Sequence, residues 1–191
     1  NKISICCIHA KKFLEHENKH ELTRRFANDS LTFSQQACSS PRAIIWVGSE
    51  TDTSLASNNW WQLVYEHSKK MHFREAGGER LAVLKTEQYY MLTNKLERVA
   101  SFQNKISVMR VKNFQNVNLT EHCGLGFFLE TTIPNLDDFR HFSIDSLQTI
   151  VSFGFCHSSW TDICKNHMNS TPHRIVNIGE ALSFSHIWDG K

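Results

Sequence analysis

The residue types and spacing best suited to chemistry lie in the pentad Gln35-Gln36-Ala37-Cys38-Ser39, a small polar stretch just ahead of the hydrophobic run Ala43-Ile44-Ile45-Trp46-Val47-Gly48. Cys38 has no large apolar neighbour within three residues, so its thiol is expected at an accessible turn. If Ser39 and Ser40 open a helical turn, unpaired backbone N–H groups there would favour the thiolate and later hold an oxyanion. Packing is the competing use, because unpaired cysteine is among the most buried residue types. Arg42 adds positive potential four residues on, or serves as an ion-pair or packing residue at a strand entrance.

Two other cysteine groups invite a metal or redox reading. Cys156-His157 with Cys164 and His167 places the last two on one face of an expected helix, but Cys156 and Cys164 lack the tight paired spacing of structural zinc sites. No metal is therefore expected. Cys6-Cys7-Ile8-His9 reads as strand, where neighbouring side chains point to opposite faces, so core packing is the expected role of both thiols.

Charge and composition narrow the partners. The 191 residues are 40% hydrophobic, with 21 Lys and Arg against 19 Asp and Glu for a net charge of +2. That is one domain's length with enough apolar mass for a core, and the basic residues form no stripe suited to a phosphate backbone. Nucleic acid is not an expected partner. No apolar run approaches the roughly 18 residues of a spanning helix. The start, Asn1-Lys2-Ile3-Ser4, lacks an initiator Met and the pattern of a signal peptide, so the chain reads as a piece of a longer protein. Six cysteines in a chain of this size are expected as reduced thiols in a cytoplasmic protein rather than a disulfide framework.

Hydrophobic periodicity supplies the elements that must position Cys38. Strands are expected at Ile3 to Ile8, Ala43 to Gly48, Ile106 to Val111, Phe127 to Ile133, Ser146 to Phe153 and Arg174 to Gly179. One amphipathic helix is expected across Lys11 to Arg25, then a loop from Phe26 to Ser40. Further helices are expected at Thr53 to His72, Glu79 to Ser101, Asn135 to Phe142, and from a Ser158 or Ser159 cap through Met168. Strands alternating with helices predict an α/β domain, a layered and mostly parallel sheet flanked by helices.

The run Gln35-Gln36-Ala37-Cys38-Ser39-Ser40-Pro41-Arg42 resembles the catalytic loop of the LuxC-type long-chain acyl-CoA reductases, the fatty-acid reductases of bacterial luminescence within the aldehyde dehydrogenase superfamily. His173-Arg174-Ile175-Val176-Asn177-Ile178-Gly179-Glu180-Ala181-Leu182, followed by Trp188-Asp189-Gly190, is similar to the close of these reductases. The two motifs bracket residues 35 to 190 and correspond to the C-terminal part of the family's length. The resemblance implies an aldehyde-dehydrogenase-like catalytic domain over residues 1–191, with an N-terminal nucleotide-binding domain outside this chain.

It further implies that Cys38 is the nucleophile on a long-chain acyl-CoA or other activated acyl donor, and that NADPH reduces the resulting acyl-enzyme to the fatty aldehyde. Glu121-His122-Cys123-Gly124 is similar in spacing to the Glu-x-Phe-Gly motif of aldehyde dehydrogenases, which implies that Glu121 holds the nicotinamide ribose, although Cys123 replaces the usual aromatic. An acyl-protein synthetase and a thioesterase are the implied partner subunits, and a homo-oligomer is left open. Two other classes compete. A Cys-dependent acyl-thioester hydrolase or acyltransferase would need an imidazole beside Cys38, and a non-catalytic interaction module would use Trp60-Trp61 as an exposed patch.

Overall fold

The computed structural model describes residues 2–73, 76–115, 117–142, 144, 147–167 and 172–183. The chain opens on β1 (Ile3–His9), every residue of which is buried up to Ile8. α1 (Ala10–Glu15) and α2 (Lys19–Leu31) lead to β2 (Pro41–Val47), followed by α3 (Glu50–Ser68) and α4 (Gly77–Thr93). A hairpin of β3 (Leu96–Phe102) and β4 (Ile106–Val111) precedes β5 (Phe127–Ile133), β6 (Leu147–Phe153), α5 (His157–His167) and β7 (Arg174–Asn177). The strands form one seven-stranded sheet in the order β3-β4-β5-β2-β1-β6-β7. All described pairings are parallel except β3 with β4. The α/β sheet predicted from periodicity is therefore the fold of the chain.

Helices cover both faces, as a parallel sheet requires. α1, α2 and α3 pack Phe13, Phe26, Trp60 and Val64 against Cys6, Ile8, Ile44 and Trp46, whereas α4 and α5 pack Val83, Tyr90, Trp160 and Ile163 against Cys7, Ile45 and Ile150. Cys6 and Cys7 face opposite layers and are both fully buried, the arrangement expected of neighbours in a strand. Burial pushes both thiols well above their ordinary range, which leaves them as neutral packing groups. No disulfide joins any of the cysteines.

Four expectations are corrected. The helix expected across Lys11 to Arg25 is two helices, because the Asn18 side chain accepts the Glu21 N–H at 3.1 Å and starts α2 afresh. α2 then continues to Leu31, into what periodicity assigns to the loop. The helix expected through Ser101 stops at Thr93, and Leu96–Phe102 is the edge strand β3 with alternating burial. Leu92 at the end of α4 and Val99 on β3 continue the helical spacing of the sequence, yet they are 87% and 49% exposed, so no buried apolar stripe carries the helix past Thr93. Trp60 and Trp61 are not a surface patch. Both are buried among Phe26, Trp46 and Phe128, which removes the feature that favoured an interaction module.

The centre of the sheet also holds a charged residue. Glu130 on β5, 1% exposed, receives the indole N–H groups of Trp46 and Trp61, each at 2.9 Å, the Ser57 hydroxyl, and Nε of Arg110 at 3.0 Å. Ser57 and Trp61 come from α3, Trp46 from β2 and Arg110 from β4, so the carboxylate joins α3 to strands β2, β4 and β5.

Candidate functional site

Cys38 sits in the turn between α2 and β2, at the amino ends of the parallel strands, and is exposed. The turn is closed by Ser40 N–H on the Ala37 carbonyl at 3.0 Å and pinned by the Ser4 hydroxyl on the Cys38 carbonyl at 2.7 Å. Ser40 Oγ donates to the Asp29 carbonyl at 2.8 Å. Among the described residues, nothing accepts from the Cys38 backbone N–H and nothing bonds to its sulfur. A thiol open to solvent with an uncommitted N–H beside it meets the geometric needs of an acyl acceptor.

The two glutamines of the pentad are struts. Gln35, at φ +62°, donates its amide to the Pro41 carbonyl at 2.8 Å and accepts the Gly126 N–H at 3.0 Å. Gln36 donates to the Cys123 carbonyl at 2.7 Å, and Leu125 N–H donates to the Ser34 carbonyl at 2.8 Å. Arg42 Nη1 reaches the Leu119 carbonyl at 2.9 Å. Four contacts thus bind the turn that carries Cys38 to residues 119–126, so the Glu121-His122-Cys123-Gly124 segment packs against that turn. Glu121 ends the short 3-10 helix Leu119–Glu121 with its carboxylate exposed.

Electrostatics separate the roles of the neighbours. The half-buried Arg42 guanidinium has its pKa lowered by burial, and Tyr90, Cys123 and Cys38 lie within its electrostatic reach. His122 is pushed down to about 3 by burial and then by Arg42, so its imidazole is neutral at physiological pH. Its Nδ1 accepts the Gly124 N–H at 3.0 Å. That nitrogen is committed, and the one histidine built into the segment is not placed as a base for Cys38.

Gly124 is required by both space and backbone. It holds φ +72°, and a Cβ there would lie 2.5 Å from Gln36 Nε2 and 3.0 Å and 3.1 Å from the carbonyls of Ser34 and Gln35. Gly124→Ala is expected to cost about 1–3 kcal/mol, because the left-handed backbone and the clash act together. It should also slow acylation of Cys38. A urea midpoint and an acylation rate equal to those of the parent would show that this contact does not seat the turn.

The closing motif folds back over α2. Arg174 on β7 donates to the carbonyls of Glu180, Ala181 and Ser183, and Asp29 of α2 accepts the N–H groups of Gly179 at 2.6 Å and Ala181 at 3.2 Å. Asp29 therefore links this motif to the Cys38 turn, through Ser40. Trp188-Asp189-Gly190 lies outside the described residues. Burial raises the Asp29 pKa from 3.8 to about 6. A raised folded-state pKa means that its contribution to stability is fully present below about pH 4 and is lost as pH rises through about 6. Between pH 4 and 7 the unfolding free energy should fall by on the order of 3 kcal/mol from this group. Asp29→Asn should remove that slope, and an unchanged slope in urea titrations at several pH values would reject the assignment.

The second exposed thiol, Cys156, is one that the sequence suggests only as a metal ligand. Cys156 precedes α5, with Sγ 3.0 Å and 2.9 Å from the hydroxyls of Ser158 and Ser159. Those hydroxyls lower its pKa from 9.0 to about 7. The serines expected to cap α5 instead lie in its first turn and face the sulfur. The legible signal was Cys-His-Ser-Ser directly ahead of a helix. Alkylation of Cys156 by iodoacetamide is expected to reach half its maximal rate near pH 7, and a midpoint near that of an unstructured thiol would contradict the assignment.

The first part of the chain, which carries the Cys38 turn, is similar to a known family. Residues 1–72 match the acyl-CoA reductase (LuxC) family. The LuxC match takes in β1, α1, α2, the Cys38 turn, β2 and α3, so the resemblance carried by that turn is borne out. No curated protein matches the chain in sequence.

Solved structures agree with the LuxC match at the level of fold. A variant of proline utilization A from Bradyrhizobium japonicum aligns with TM-score 0.60 and 9% identity over 93% of this chain and 19% of its own. Gamma-glutamyl-gamma-aminobutyraldehyde dehydrogenase from Burkholderia cenocepacia J2315 aligns with TM-score 0.57 and 8% identity over 92% of this chain and 37% of its own. A protein from Sinorhizobium meliloti 1021 described as a methylmalonate-semialdehyde dehydrogenase, solved with NAD, aligns with TM-score 0.53 and 8% identity over 87% of this chain and 37% of its own. The chain spans well under half the length of each, and the fold it shares with them is that of aldehyde dehydrogenases. No helix among the described residues is long and apolar enough to cross a membrane.

Proposed function

We propose that residues 1–191 form the thiol-bearing catalytic domain of a reductase that converts a long-chain fatty acyl thioester to the aldehyde, with Cys38 as the acyl acceptor. The observation that carries this reading is the exposed Cys38 turn bound through Gln35, Gln36 and Arg42 to the Glu121–Gly124 segment. The LuxC match over that turn supports the acyl substrate. In the reaction, Cys38 sulfur attacks the thioester carbonyl and the donor thiol leaves, giving an acyl-enzyme. The uncommitted Cys38 N–H would hold the carbonyl oxygen as it takes on charge.

The residues present suit a nicotinamide nucleotide. Glu121 offers an exposed carboxylate on the segment tied to the nucleophile turn, which fits a ribose diol, and one of the structural neighbours was solved with NAD. When bound, NADPH would supply the hydride that reduces the acyl group. The rest of the nucleotide is proposed to sit on a domain outside residues 1–191, with the acyl donor delivered by synthetase and thioesterase subunits in the cytoplasm. Release of aldehyde then returns the Cys38 thiol. With its pKa held at about 3 by burial and its Nδ1 already accepting the Gly124 N–H, His122 is too weak a base to drive hydrolysis of the acyl-enzyme.

The test is to incubate the chain with a long-chain acyl-CoA, record the intact mass, and map the adduct by peptide sequencing. A single acyl group on Cys38, stable until a reductant is added, is the expected result. Rapid release of free acid with no accumulating adduct would favour a thioester hydrolase and overturn the reductase reading.

A further inference from the structure

The carboxyl end of the sheet, opposite Cys38, contains a second constellation. β1 leads into α1 and α2 on one face, whereas the adjacent β6 leads into α5 on the other. In open α/β sheets, adjacent strands whose connections part in this way leave a crevice beyond their carboxyl ends, and ligands bind there. A cavity of about 550 Å³ occupies this point, lined by His9 from the end of β1, Lys12 of α1, Asp137, Cys156, and Ser159 and Asp162 of α5. Its volume falls within the range of small-molecule sites, roughly 300–1,000 Å³.

We propose that this cavity is a second thiol site, in which Cys156 exchanges with a small zwitterionic disulfide. The lining carries the ammonium of Lys12 and the carboxylates of Asp137 and Asp162, so it suits a ligand bearing charges of both signs rather than a simple anion. Lys12 is anchored by its bond to the Gly154 carbonyl, which holds the ammonium at the wall. His9 stacks on Phe155 at 5.5 Å and forms part of the cavity wall. The two serine hydroxyls beside the sulfur and the start of the 11-residue α5 stabilise the thiolate, consistent with its lowered pKa.

In the exchange, the Cys156 thiol loses its proton to solvent and its sulfur attacks one sulfur of the donor disulfide. A new S–S bond forms to Cys156, the donor S–S bond breaks, and the second half leaves as a thiolate that takes up a proton. Cys156 is oxidised and one donor half is reduced, with no further reagent. The proposal does not depend on the role of Cys38.

Glutathione disulfide is the probe. The chain is incubated with it at pH 7, quenched with acid, and analysed by intact mass and peptide mapping, beside a Cys-His-Ser-Ser peptide as the unstructured reference. One glutathionyl group on Cys156 is expected, formed at least about 10-fold faster than on the peptide because the site concentrates the donor. Lys12→Ala should slow that reaction several-fold, and Cys156→Ser should abolish the adduct while leaving acylation of Cys38 unchanged. Modification of Cys38 ahead of Cys156, a rate equal to that of the peptide, or indifference to Lys12→Ala would overturn the proposal. Peptide mapping and rates measured on the parent chain beside the reference peptide decide the first two of these outcomes, whether or not the variants fold.

Discussion

Cys38→Ala is expected to abolish acyl transfer, lowering the rate of adduct formation by about 10³-fold or more, the scale seen when a covalent nucleophile is removed. The turn should survive the change. Its geometry is set by the Ser4 hydroxyl on the Cys38 carbonyl, by Ser40 N–H on the Ala37 carbonyl and by the side chains of Gln35 and Gln36, none of which involves the sulfur. The urea midpoint of the variant should therefore stay within about 0.5 kcal/mol of the parent, as for other exposed substitutions. The comparison is made by intact mass after exposure to a long-chain acyl-CoA, with peptide mapping of every cysteine. An adduct that persists in the alanine variant, or that maps to Cys156 or Cys123 in the parent, would remove Cys38 from the reaction.

Glu130→Ala is expected to be the most destabilising single substitution in the sheet. It leaves the Arg110 guanidinium, in a residue only 8% exposed, without its counter-charge, and strips the acceptor from Trp46, Trp61 and Ser57. Breaking a buried pair by removing one partner costs about 3–5 kcal/mol, against a total stability of about 5–15 kcal/mol for a domain. Much of the penalty comes from the stranded charge. The double variant Glu130→Leu with Arg110→Met should thus recover a large part of it. Urea denaturation of the parent, the single variant and the double variant is the measurement. A loss below about 1 kcal/mol in the single variant would show that water reaches and solvates Arg110.

These two residues mark different kinds of legibility. The exposed turn position of Cys38 is readable because it follows from local composition. Small polar neighbours keep a turn open, and the strand that follows is too apolar to lie anywhere but the core. The role of Glu130 was not readable, since nothing in Phe128-Leu129-Glu130-Thr131 shows that two indoles and an arginine from other elements converge on it. Gln35 and Gln36 fall between. Their presence in the pentad was visible, but their work as struts to Gly126 and Cys123 depends on residues about 90 positions away.

What the sequence determined by itself was the alternation of strands and helices, the position of β4 and β5 to the residue, and the placement of Cys38 at a turn, because period and turn composition are local properties. Tertiary structure alone decided that Leu96–Phe102 is an edge strand, that Trp60 and Trp61 are core, that Glu121 lies on a segment bound to the Cys38 turn, and that Cys156 lines a cavity beyond the carboxyl ends of β1 and β6. The physical reason is the same in each case. A helical or extended period says which side chains share a face, but which surface that face meets is settled only when the sheet is assembled and distant segments compete to bury it.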